Sequence, residues 1–142
     1  AKMVDFVSVG SNDLTQYLLA VDRNNPRVAS LYSAFHPAVI AALQQVVTLA
    51  KAEGKPVSIC GEMAGDPGAA VLLIAMGYDV LSMNASTLLK VKSVIRSVSM
   101  DVAKDLLEQV AELDDAQTIR SAVDMALYNA GVDRLLRSSR TH

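Results

Sequence analysis

The chain has 142 residues, 51% of them hydrophobic and 20% charged, with a net charge of −2. That size fits one domain or part of a larger one, and the apolar content excludes a largely disordered chain. The slightly acidic balance speaks against a nucleic-acid partner, and no apolar run approaches the roughly 20 residues that cross a bilayer. A single cysteine rules out an internal disulfide and suits a reducing cytoplasm, and Ala1 leads almost directly into a strand with no secretory leader.

The first expected element is a strand at Val4–Val9, ended by Gly10. Three small polar residues follow, Ser11-Asn12-Asp13, where a strand-to-helix connection needs only one helix cap. Arg23 stands ten residues beyond Asp13. Pro37 to Glu53 then places Val39, Ile40, Leu43, Val46, Val47 and Ala50 on one helical face, stopped by Gly54. Val57–Cys60 reads as a second strand, followed by a loop, "CGEMAGDP". Asp66-Pro67 caps a short helix that Gly77 closes. Val80–Met83 is the third strand, and Ser86 or Thr87 opens a helix to about Ser97. Strands alternating with helices argue for parallel βαβ units, and unalternated apolar strands argue for cover on both faces.

Beyond residue 98 the pattern is helical only. Asp101 to Leu113 carries a stripe of Val102, Leu106, Val110 and Leu113, and Ile119, Val123 and Leu127 continue it on a second helix ending near Gly131. These two antiparallel helices read as packing or interface elements. Residues 1–98 are expected to form the βα units, 99–133 a terminal helical hairpin, and 134–142 a basic tail that frays.

Three strands cannot close a barrel. The residues leave two α/β architectures open: a small three-layer sheet, or the last three βα units of a (β/α)8 TIM barrel. In either, functional residues stand beyond the carboxyl ends of the strands, where Ser11-Asn12-Asp13, Cys60-Gly61-Glu62 and Met83-Asn84 lie. Asn12 and Asp13 at a helix start suit an anion, Asp13 can ligate Mg²⁺, and Arg23 can hold a carboxylate or phosphate in a bidentate fork. The plainer alternative is a helix cap and a surface ion pair of Arg23 with Asp22 or another acid. Cys60 is either an inert core thiol or, beside Gly61, a thiol that a substrate can reach and take a proton from. His36 before Pro37 is better explained as local structure than as a nucleophile, and His142 is a weaker candidate still. Met63, Met76 and Met83 read as core filler, and Glu62 as a supporting hydrogen-bond partner.

The segments "VSVGSNDLTQYLLAVDRNNPRVASLY", "HPAV" and "ICGEMAGDP" together resemble the phosphoenolpyruvate (PEP)-binding domain of enzyme I, the PEP–protein phosphotransferases, nearest to the nitrogen-related form. The resemblance runs from about Val4 to Arg96. Pyruvate phosphate dikinase and PEP synthase share the Asn-Asp and Cys-Gly elements but are less like "AVDRNN" and "CGEMAGD".

The resemblance implies a TIM-barrel PEP domain of which these are strands six to eight. It implies transfer of the PEP phosphoryl group to a histidine on a separate N-terminal domain, then to a small phosphocarrier protein (HPr-like), with release of pyruvate in the cytoplasm. On it, Asn12, Asp13 and Arg23 would bind PEP, Asp13 would also ligate Mg²⁺, and Cys60 would protonate carbon three of the enolate. A homodimer is implied as well. Read this way, the chain is a C-terminal piece, inactive alone, that lacks the histidine domain and five strands. The rival expectations are a non-catalytic interaction or dimerisation module, or a fragment of a pyruvate phosphate dikinase or PEP synthase relative.

Overall fold

β-branched residues set the centre of the molecule. In the computed structural model, which describes residues 1–132, Val57–Cys60 forms the middle strand β2 between β1 (Val7–Gly10) and β3 (Val80–Leu81). All pairing is parallel, with Val7 opposite Val57, Gly10 opposite Cys60, and Ile59 opposite Leu81. Seven α-helices follow among the described residues: α1 (Ser11–Leu19), α2 (Pro37–Ala52), α3 (Glu62–Gly65), α4 (Pro67–Met76), α5 (Ala85–Ser97), α6 (Met100–Ala111) and α7 (Ala116–Asn129). The expected alternation of strand and helix is present, so the chain is a mixed α/β protein with a three-stranded parallel sheet.

The two faces of the sheet differ, which corrects the expectation of cover on both sides. Successive strand residues point to opposite faces. Val9, Val57 and Ile59 lie buried against the helices. The alternate row of Ser8, Ser58 and Val80 is exposed, half-buried and exposed in turn, and the next row on that open face is Gly10 and Cys60. Cys60 is accordingly exposed rather than an inert core thiol.

Helix α4 is the hub of the core. Gly68 through Leu73 are all buried, and α4 packs against α5, α6 and α7. Burying each Leu or Val contributes about 1.5–3 kcal/mol, so Val71, Leu72 and Leu73 stabilise the core on several sides of α4 at once. Its stripe runs through Ala103, Leu106 and Val110, then Ile119, Val123 and Leu127. Val102, expected on that stripe, is exposed because the buried row passes through Ala103 instead.

The element bounds differ from expectation where distant partners decide them. The first strand starts at Val7, not Val4, and Val4 and Phe6 are exposed. Val7 N–H donates to the Pro56 carbonyl at 2.9 Å. The next donor toward the start of β2 belongs to Pro56, which has none, so the ladder stops there. Strand β3 ends at Leu81 rather than Met83, because the chain leaves the sheet within three residues for α5, with Asn84 at its N-cap position. Ser86 and Thr87 therefore lie inside the first turn of α5. Glu62–Gly65, expected as loop, is a single helical turn. His36 does act locally: its Nδ1 accepts from Ala38 N–H at 3.1 Å and caps α2 ahead of Pro37. The tail at 134–142, with His142, lies outside the described residues. No helix among the described residues is long and apolar enough to cross a membrane.

Candidate functional site

The carboxyl ends of all three strands meet around one cleft of about 660 Å³, lined by Asn12, Cys60, Glu62, Asp66, Met83 and Asn84 among others. The three polar clusters anticipated from sequence thus share one face. Met83 is half-buried in this cleft wall, not core filler, whereas Met63 and Met76 are buried in the core.

Ser11-Asn12-Asp13 does not cap α1. Gly10 holds the cap position without a side-chain bond, and the three residues form the first turn. Their side chains go elsewhere because tertiary partners are available. Ser11 is buried, and its Oγ donates to the Cys60 carbonyl at 2.7 Å. Asn12 Oδ1 accepts the Glu62 N–H at 3.0 Å, and Tyr32 OH donates to the Asn12 carbonyl at 3.3 Å. Thr15, also buried, donates to the Ser11 carbonyl at 2.8 Å. The first-turn N–H groups have no carbonyl partner within the helix, so that end keeps its affinity for negative charge.

Asp13 is the most open of the three. Its carboxylate meets Arg23 Nη1 at 3.4 Å, and its side chain is 72% exposed. The arginine ten positions on therefore returns to the aspartate, rather than pairing with Asp22, whose Oδ1 accepts the Asn24 N–H at 2.9 Å. A pair this long and this exposed contributes about 0–1 kcal/mol, so either group is available to a ligand at little cost. Neither Asp13 nor Arg23 lines the cleft directly.

Gly61 joins the two clusters and cannot be another residue without strain. Its φ is +93°, and a Cβ there would lie 2.5 Å from Ser11 Oγ and 3.0 Å from Asn12 Oδ1. Glycine is required both by conformation and by close approach.

Asp66 closes the far side. Its Oδ1 accepts from Gly68 and Ala69 N–H at 2.8 and 2.9 Å, capping α4, while Oδ2 meets Arg120 Nη1 at 2.7 Å. Arg120 also bonds Asp124 and stacks 5.0 Å over the Phe35 ring. Burial alone would lower the Arg120 pKa, but Asp66 and Asp124 outweigh it and raise it. Sequence reading assigned the terminal hairpin to packing and missed Arg120, whose partner lies 54 positions away. It also missed Ser82 and Thr87 in the cleft wall, although their place just past β3 was a usable signal.

Among the described residues, no three His, Cys, Asp or Glu side chains cluster closely enough to hold a metal by themselves. Asp13 offers one exposed hard oxygen ligand. That donor fits Mg²⁺, which commonly binds through one or two carboxylates and keeps water and substrate oxygens as its other ligands.

Comparison with known proteins places these features in context. Residues 1–100 match the family model for the PEP-utilising enzyme, PEP-binding domain. The chain is 43% identical over 137 residues to a Salmonella typhimurium protein named phosphoenolpyruvate-dependent phosphotransferase system, covering 96% of this chain and 18% of that protein. It is 47% identical over 118 residues to multiphosphoryl transfer protein 1 of Escherichia coli, covering 83% and 14%. To the phosphoenolpyruvate-protein phosphotransferase of Haemophilus influenzae it is 44% identical over 124 residues, covering 87% and 22%. The chain therefore spans between about a seventh and a fifth of the length of these relatives.

Proposed function

Because the chain belongs to the family of PEP-binding domains of PEP-utilising enzymes, we propose that it is the part of a PEP–protein phosphotransferase that carries the proton donor and one side of the PEP site. The observation that carries this reading is the placing of Cys60 and Asn12 on one cleft, at the carboxyl ends of a parallel sheet whose face away from the helices is open. Clefts of this size hold small ligands. The open row of Ser8, Ser58 and Val80 fits the inward face of a (β/α)8 barrel of which β1 to β3 are the last three strands.

PEP brings a phosphate and a carboxylate, so its site must oppose concentrated negative charge. Arg23 supplies a planar cationic fork. The first turn of α1 supplies N–H groups and Asn12 its amide NH₂, since only the amide oxygen is engaged by Glu62. Mg²⁺ held by Asp13 would neutralise phosphoryl oxygens and stabilise charge in transfer. The phosphorus–oxygen bond of PEP breaks and the phosphoryl group leaves for a histidine of another domain, from which a phosphocarrier protein takes it. The electron pair left on oxygen forms the enolate of pyruvate. Cys60 then gives its thiol proton to carbon three, which yields pyruvate and a thiolate that water or buffer reprotonates.

The small share of the relatives' length that this chain spans supports a second statement: alone it binds PEP weakly and transfers no phosphate. The test is made in the complete protein. Cys60→Ala should leave PEP affinity nearly unchanged while pyruvate release falls about 10²–10⁴-fold, the usual worth of a general acid. Normal turnover by Cys60→Ala would overturn the assignment, as would phosphate transfer from PEP by the short chain alone.

A further inference from the structure

We propose that Ser11 is a positioning residue for Cys60, and that with Asn12 it clamps the Cys60-Gly61-Glu62 turn from both sides; the consequence for turnover rests on the function proposed above. The clamp itself is built entirely from this chain. Ser11 Oγ holds the Cys60 carbonyl at 2.7 Å, and Asn12 Oδ1 holds the Glu62 N–H at 3.0 Å. These are the two polar groups that flank Gly61, and they come from adjacent residues of one helical turn. Gly61 fits between them only because it lacks a Cβ, which would press on both side chains.

The clamp is anchored from below. Thr15 Oγ1 donates to the Ser11 carbonyl at 2.8 Å, and Ser11 and Thr15 are the only buried polar or charged residues among those described. Burial keeps water from replacing either hydroxyl, so both bonds persist through ordinary fluctuation. Cys60 by contrast is exposed, with little packing of its own to aim the thiol. Its backbone is paired with Gly10 at the end of the β1–β2 ladder, and the only side-chain hydrogen bond received by that backbone among the described residues is the one from Ser11. This gives each of the three polar residues a separate task. Ser11 and Asn12 hold the turn, and Asp13, the exposed member, pairs with Arg23 beside the cleft.

The test uses Ser11→Ala and Ser11→Thr. In this chain, amide hydrogen exchange at Glu62 should accelerate about tenfold in Ser11→Ala, although Glu62's own partner Asn12 is untouched, and Ser11→Thr should restore protection. In the complete protein, Ser11→Ala should lower kcat for pyruvate release about tenfold with KM for PEP unchanged, again restored by Ser11→Thr. A purely structural residue would speed exchange across the whole core, so amides of α4 and α7 serve as the control and should not change. Equal Glu62 exchange in Ser11→Ala and the parent would overturn the proposal. So would a raised KM with unchanged kcat, which would make Ser11 a ligand contact, or a natively folded Ser11→Thr that fails to restore protection. If the parent protein itself released no pyruvate, the phosphotransferase reading would fall, and the exchange measurement would still decide the clamp.

Discussion

Arg120 on α7 reaches Asp66 at the rim of the cleft, 2.7 Å away, and so ties the terminal hairpin to the start of α4. The same carboxylate caps α4 through its other oxygen. Asp66→Ala removes both functions, and loss of a helix cap alone typically costs about 0.5–2 kcal/mol. Asp66→Asn keeps an acceptor for the cap and weakens only the ion pair. Because Arg120 is 42% exposed at its side chain, solvent screens the pair to about 1 kcal/mol or less. Urea unfolding should therefore rank Asp66→Ala well below Asp66→Asn, with Arg120→Met close to Asp66→Asn. Equal losses for the two Asp66 variants would show that the cap contributes nothing.

Asp79 should contribute to acid sensitivity, as should Asp115, whose pKa the Thr118 N–H and hydroxyl hold below the ordinary value. Lys51 Nζ binds both its oxygens, at 2.5 and 2.6 Å, and Val57 N–H donates to one of them at 2.7 Å. The Lys51 hydrogen bond, then the Val57 N–H, hold its pKa below the ordinary value of 3.8. A carboxyl with a lower pKa folded than unfolded takes up its proton first in the unfolded chain. Its stabilisation is thus complete above about pH 4 and is lost as pH falls through the folded value. Thermal unfolding of Asp79→Asn should show a shallower loss of Tm below about pH 4 than the parent, and the difference should shrink in high salt. Parallel curves would place the acid-sensitive group elsewhere.

Much of this was readable from local pattern, and three of the exceptions share one cause. The α2 stripe and the α7 stripe carry their own period, and Gly10 and Gly61 mark where strands give way to polar turns. The bounds of β1 depend on Pro56, the residue just before β2, which no local window contains. The first turn of α1 resembles a cap in sequence, yet the partners that divert Ser11 and Asn12 lie 49 and 50 positions away. Arg120 carries no local mark of its partner. In these three cases a tertiary contact overrides a correct local preference.

Self-association is the third expectation. Phe6 and Met3 stand exposed beside β1, and Leu89 and Val80 stand exposed at the β3 side. Both outer strands also offer unpaired backbone groups to another chain. Light scattering across micromolar concentrations should find a dimer or larger species, and Phe6→Glu should shift it toward monomer. A monomer at every concentration would show that these edges are not association surfaces.

The central claim is that the first turn of α1 and the Cys60 turn form one PEP site, and the most direct measurement follows amide chemical shifts while PEP is titrated with Mg²⁺. Shifts should centre on Asn12, Asp13 and Gly61 and saturate in roughly the millimolar range, near −4 kcal/mol. Arg23→Ala should weaken the response, with Arg23→Lys recovering only part of it, and Asp13→Ala should remove its Mg²⁺ dependence. Shifts confined to other surfaces, or a response at these amides that neither Arg23→Ala nor Asp13→Ala alters, would contradict the account.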